Sequence, residues 1–130
     1  MTVLDASAVA ALLFEESGGS RVAEIIAAGD ASISAVNFSE VGALLMRRQV
    51  PDLLDIMGDL EQQVEVVPFD SAQALQAALL APITADRGLG MGDRSCLTLA
   101  RLLQTPAVTA DRVWSDIADV VGVQVELVRG

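Results

Sequence analysis

The chain has 130 residues, 18 of them acidic against eight arginines and no lysine, for a net charge of −10; hydrophobic residues make up 52% and aromatics only 3%. That length and composition suit one domain spanning residues 1–130, with a core of Ala, Val, Leu and Ile burying about two-thirds of the unfolded surface. With no histidine, lysine or tyrosine, Ser-His-Asp and Cys-His hydrolases, Walker A phosphate loops and imidazole-based zinc sites are all excluded.

Thr2-Val3-Leu4 predicts a short buried strand ending at Asp5, then a helix from Ala6 to about Glu15 that is apolar nearly all round. Gly18-Gly19-Ser20 breaks the chain before a second helix from Arg21 to about Ala28, and Gly29-Asp30 turns it into a strand at Ala31 to Ser34. Ser34 can cap a third helix, Ala35 to Arg48, with Val41, Leu44 and Leu45 inward, and Pro51 opens a fourth. Val64 to Val67 is the next strand, and Asp70-Ser71 caps an alanine-rich helix to about Ala81. Pro82 to Gly92 reads as an irregular, flexible loop, the size that is often functional.

From Asp93 to Leu103 a helix sets Arg94, Thr98 and Arg101 on its wet side and Cys96, Leu97, Ala100 and Leu103 inside. Ala107 to Thr109 is a strand leading to Asp111, Val113 to Val120 a short helix, and Val123 to Val128 a last strand. Alternating strands and helices predict an α/β fold with a mostly parallel sheet between helical layers.

The longest apolar run, Ala8 to Phe14, is far short of the roughly 18 residues of a membrane span, and the start carries no basic leader. The lone cysteine, Cys96, fits a reducing cytoplasm and, without a histidine partner, core filling. Cytoplasmic location is therefore expected.

With imidazole, lysine and thiol pairs gone, carboxylates and a hard metal remain as chemistry. Asp5 and Asp111 each stand just beyond a short apolar strand, and open parallel sheets bind ligands beyond the carboxyl ends of their strands. Asp93 opens a helix, where the dipole favours the ionised form a ligand needs, although a helix cap is the plainer reading of that position. Glu40 lies beside the apolar stripe of the third helix, facing either the same crevice or bulk water. Magnesium and manganese take oxygen ligands, and a bound ion can generate a strong nucleophile where no histidine can.

These residues fall within longer segments. Asp5-Ala6-Ser7-Ala8, Ser39-Glu40-Val41, the Gly-Asp-Arg of Gly88 to Ala100, and Thr109-Ala110-Asp111-Arg112-Val113-Trp114 resemble the successive signatures of PIN-domain proteins, specifically VapC-like toxins of bacterial and archaeal toxin–antitoxin pairs. The resemblance runs along the whole chain. It implies a three-layer α/β/α PIN-like fold, endoribonuclease cleavage of RNA with Mg²⁺ or Mn²⁺, homodimerisation, and inhibition by a cognate antitoxin.

The resemblance makes Asp5, Glu40, Asp93 and Asp111 catalytic metal ligands. Asp116 matches an acid that some members add to the metal site, and equally suits a cap on the short helix. Ser7 and Thr109 match polar positions that hydrogen-bond the carboxylates or a metal-bound water. Arg94 and Arg112 neighbour ligands, either to contact phosphate or to bridge the crowded acids, and Trp114 either stacks an RNA base or packs at a dimer surface or under the loop. Asp86 matches no family acid.

A charge of −10 opposes RNA binding unless acids converge on a metal and leave arginines to meet the phosphates. A phosphatase of the haloacid-dehalogenase type fails because Ser7 stands where its second aspartate belongs and its lysine is missing; a receiver domain fails on the lysine. The remaining alternative is a catalytically inactive PIN-like interaction module whose acids bind a basic partner peptide.

Overall fold

The computed structural model describes residues 1–129 and contains a five-stranded, wholly parallel sheet among them. The strands are β1 (Thr2–Leu4), β2 (Ala31–Ser34), β3 (Glu65–Val67), β4 (Ala107–Thr109) and β5 (Val125–Leu127), in the order β3-β2-β1-β4-β5. The order therefore reverses between β1 and β4, in register with Val3 beside Ala107 and Leu4 beside Val108. A reversal of this kind opens a crevice beyond the carboxyl ends of the two strands, because their connections leave in opposite directions.

Successive strand residues point to opposite faces, and the core divides accordingly. Leu4, Ile33 and Val108 pack on one face with residues of α1 (Ala6–Leu13), α2 (Gly19–Ala27), α3 (Ala35–Arg47) and α4 (Leu53–Gln63). Val3 and Ala107 pack on the other with Leu80, Leu97, Trp114 and Val121. That second layer is supplied by α5 (Ser71–Leu79), α6 (Ala81–Thr84), α7 (Met91–Leu103) and α8 (Ala118–Val121). The result is the expected three-layer α/β/α arrangement. Each fully buried Leu or Val contributes about 1.5–3 kcal/mol, so small aliphatic side chains supply most of the core with few aromatics.

Several local expectations are corrected. The helix expected from Arg21 begins at Gly19, because Gly18 alone makes the turn at φ +90°. Its missing Cβ also lets the backbone of Val128 pass. The helix expected at Pro51 begins at Leu53, since Asp52 takes a left-handed conformation and leaves the proline in the turn. The segment 82–92 is not irregular throughout: α6 carries proline in its first turn, a 3₁₀ turn follows at Ala85–Arg87, and buried Leu80, Thr84 and Leu89 pin it down.

The helix expected over 113–120 divides into a 3₁₀ turn at Arg112–Asp116 and α8, and β5 is shorter than 123–128. On α7, Thr98 is buried rather than wet, because α5 covers that flank, and Arg94 is half-buried; only Arg101 of the three is exposed.

Candidate functional site

Asp5 stands at the end of β1 and caps α1, its Oδ1 accepting from the Ala8 N–H at 2.8 Å. The Ser7 hydroxyl lies 2.7 and 2.9 Å from its two oxygens, and the Thr109 hydroxyl donates to Oδ2 at 2.6 Å. Thr109 ends β4, and its Oγ1 in turn accepts the Asp111 N–H at 3.0 Å, while Ser7 Oγ accepts the Ala110 N–H at 2.9 Å. The two strand ends at the reversal are thus tied together through the hydroxyls of Ser7 and Thr109. Asp111 caps the 3₁₀ turn that follows, accepting from the Val113 N–H at 3.0 Å.

Asp93 is the third residue of α7, not its first. The helix is capped by Gly90, whose N–H donates to Asp93 Oδ2 at 3.0 Å. The other oxygen, Oδ1, accepts from the Trp114 indole Nε1 at 3.2 Å. Trp114 is completely buried, which corrects both a base-stacking surface and a dimer-surface position: the indole is a core residue whose polar end holds an acid.

Glu40 projects from α3 against the first turn of α7. Asn37, one turn earlier, donates through Nδ2 to Glu40 Oε1 at 2.8 Å and to the Gly92 carbonyl at 3.0 Å, and a Cβ at Gly92 would collide with the Glu40 carboxylate. Glycine at 92 therefore makes room for Glu40 beside Asp93. Asn37 was not expected as a site residue and Trp114 was not expected as a partner of Asp93; the three-residue spacing of Asn37 and Glu40 on one helix face was the available signal.

The electrostatics couple Asp5 with Asp93 and Asp93 with Asp111. Burial raises the Asp5 carboxyl from its ordinary 3.8 to about 6, against hydrogen bonds from Thr109, Ala8 and Ser7 that lower it, with the charge of Asp93 adding to the rise. Asp93 is raised chiefly by burial and also by the charge of Asp111, with Gly90, Trp114 and Arg94 opposing. The buried Cys96 thiol is pushed up by desolvation and then by Asp5, Asp93 and Glu40 together, so it is core filler, as expected. Asp5 and Asp111 thus stand at the strand reversal, Asp93 acts on Asp5 and feels Asp111, and Glu40 lies against Gly92, the residue before Asp93.

Asp116 is otherwise engaged, in a surface ion pair with Arg87 at 3.1 Å. Half-buried Arg94 lowers Asp93 and has its Nε shielded from water, so it serves the acids more than a substrate; Arg112 is exposed. Among the described residues, no three His, Cys, Asp or Glu side chains are gathered closely enough to hold a metal ion as they stand. Hydrogen bonds take up oxygens of Asp5 and Asp93, and uncompensated carboxylates repel one another. The donor set nevertheless fits a hard cation: it is all carboxylate, and the burial that raises Asp5 and Asp93 is a cost that a cation offsets.

A cleft of about 530 Å³ opens beside these acids, bordered by Ser7, Glu40 and Asp111 and also by Arg47, Arg48 and Arg129. A separate hollow of about 420 Å³, at the opposite end of β4 around Arg101, Thr105 and Pro106, includes none of the acids.

The family model described as PIN domain matches residues 2–120. The chain belongs to the PIN-domain family. No curated protein matches it significantly. Among solved structures, a toxin–antitoxin complex from Klebsiella pneumoniae is similar, with a TM-score of 0.73, 17% identity, and 95% of each chain covered. DNA-bound VapBC from Salmonella typhimurium is similar at a TM-score of 0.72, 18% identity and 96% of each chain. VapBC-5 from Mycobacterium tuberculosis, of the VapBC family of toxin–antitoxin systems, reaches 0.62 at 18% identity, covering 99% of this chain and 98% of that one. At such identities the likeness concerns the fold, and it extends over nearly the full length of this PIN domain. No helix among the described residues is long and apolar enough to cross a membrane.

Proposed function

We propose that this PIN domain is a divalent-metal-dependent endoribonuclease, acting in the cytoplasm as the toxin of a toxin–antitoxin pair, as a homodimer restrained by a cognate antitoxin. The observation that carries the reading is the buried Asp5 at the strand reversal, raised to about 6 and within the field of Asp93, which itself feels Asp111. A fold does not place buried carboxylates together for stability, since desolvation and mutual repulsion both oppose it. Membership in the PIN family and the toxin–antitoxin complexes among its structural neighbours support the same reading.

In this reading Asp5, Glu40, Asp93 and Asp111 hold Mg²⁺ or Mn²⁺. Held there, such a cation would supply the acidification of a water and the neutralisation of charge that phosphodiester hydrolysis needs. The chain's own contribution is positioning. Ser7, Thr109 and the Ala8 N–H fix the Asp5 carboxylate, Asn37 and the space at Gly92 fix Glu40, and Gly90 and Trp114 fix Asp93. Groups held in this way lose little freedom on binding, which is where preorganised sites gain their rate.

The test is cleavage of single-stranded RNA with Mn²⁺ or Mg²⁺ and after EDTA, alongside thermal unfolding. Cleavage should require the metal and be abolished in Asp93→Asn. A hundredfold excess of Mn²⁺ over its Kd should stabilise the protein by about 2.7 kcal/mol. Absence of both cleavage and a melting shift at saturating metal would overturn the nuclease reading in favour of an interaction module that binds a basic peptide.

A further inference from the structure

We propose that Arg47 and Arg48 form a phosphate-binding subsite that anchors the RNA strand away from the bond being cut. The proposal rests on the nuclease reading above and deepens it. Its starting point is a charge distribution: in a chain of net charge −10, three of the eight arginines border the cleft that also reaches Ser7, Glu40 and Asp111.

Glu40, Leu44 and the Arg47-Arg48 pair follow one stripe of α3, four and then three or four residues apart, and all of them line the cleft. At about 1.5 Å per residue, the arginines stand about 10–12 Å along the helix axis from Glu40. A stacked strand advances about 3.4 Å per phosphate, so the arginines would meet phosphates two or more removed from the one beside the acids. They grip the strand; they do not take part in the chemistry.

The partners of the three arginines differ in a way that matters. Arg129 is paired with Glu16 at 3.0 Å, which closes the far wall of the cleft with no net charge. Arg48 lies over the Phe14 ring with its carbon 4.1 Å from the centroid, a contact that steadies the guanidinium plane without using its N–H donors. Arg47 makes no ion pair among the described residues, and both Arg47 and Arg48 are exposed. Two guanidinium groups are thus left with donors for an oxyanion, and the planar fork suits phosphate. Their continuity with the acids favours a phosphate chain that runs along the cleft into the site.

The test is fluorescence anisotropy of a labelled 20-nucleotide single-stranded RNA in EDTA, where no cleavage occurs, across a series of NaCl concentrations. Arg47→Ala/Arg48→Ala should weaken binding about tenfold or more and flatten the slope of log K against log salt by about 1.4, from about 0.7 per lost phosphate contact. Arg101→Ala, at the opposite end of the sheet, should change neither, and the melting shift induced by Mn²⁺ should be the same in all three proteins. Wild-type affinity and slope in the double variant, or no RNA binding by the wild type at low salt, would overturn the proposal. So would a glutamate 20-mer that binds these arginines while RNA does not. Arginine-dependent RNA binding in a protein that shows no melting shift and no cleavage with Mn²⁺ would instead leave the subsite standing and remove the nuclease reading.

Discussion

Replacing Asp5 by asparagine should stabilise the metal-free protein at neutral pH while abolishing cleavage. Burial raises this carboxyl from 3.8 to about 6, so the folded state holds the proton more tightly than the unfolded chain does. The linked stability is present below pH 3.8, falls as pH rises through the interval to about 6, and is gone above it. A difference of about two units corresponds to about 3 kcal/mol at 1.36 kcal/mol per unit. Asparagine removes the charge and still caps α1, but the Thr109 hydroxyl that donates to Oδ2 must turn round, at a cost of about 1 kcal/mol. The net gain is about 2 kcal/mol, or about 7 °C in melting temperature for a chain of this length.

Circular dichroism melts in EDTA from pH 4 to pH 8 read this, because the two proteins differ only at Asp5 and through its coupling to Asp93. The variant should melt higher at pH 7.5, and the gap should close as pH falls toward 4. A variant no more stable than wild type at pH 7.5, or a gap that does not change with pH, would refute the reasoning that buried charge dominates this position.

Gly92→Ala should drive Glu40 from its place and lower cleavage at least about tenfold. The melting temperature should move less, because the helical gain of alanine, about 1 kcal/mol, offsets part of the overlap; wild-type activity would refute the contact. Trp114→Phe should cost about 2–4 kcal/mol from the vacated indole volume and deprive Asp93 of a donor that lowers it, moving the acid limb of the cleavage–pH profile upward; an unmoved limb would show that the indole does not hold Asp93. Asp116→Asn should leave both cleavage and the Mn²⁺ melting shift unchanged and cost less than about 1 kcal/mol, since it breaks only the exposed pair with Arg87; a lost Mn²⁺ shift would make Asp116 a ligand after all.

Much of the site was legible because its signals are local. Asp5 and Asp111 follow short apolar runs, and Ser7 and Thr109 sit two residues away from them, a spacing that survives whatever the rest of the chain does. The sequence left stacking and packing both open for Trp114, because a lone indole carries no sign of its surroundings: only the packing of α7 and the 3₁₀ turn reveals that its nitrogen meets Asp93. Thr98 was misplaced for the same reason, its outer flank being covered by α5 from elsewhere in the sequence. The arginines of the cleft passed unnoticed since Arg47 and Arg48 end a helix, where basic side chains are already accounted for by the helix dipole.

The amino-acid order alone determined the alternation of strands and helices, the absence of histidine, lysine and tyrosine from the chemistry, and the acids that close β1 and β4. Only the folded chain decided that β1 and β4 are neighbours on either side of the reversal, that Glu40 fills the space left at Gly92, and that Asp116 pairs with Arg87. Periodicity and end signals act over a few residues and can be read in one dimension. Parallel pairing joins strands about a hundred residues apart, and its register depends on how both helical layers bury the sheet at once, so no single segment carries it.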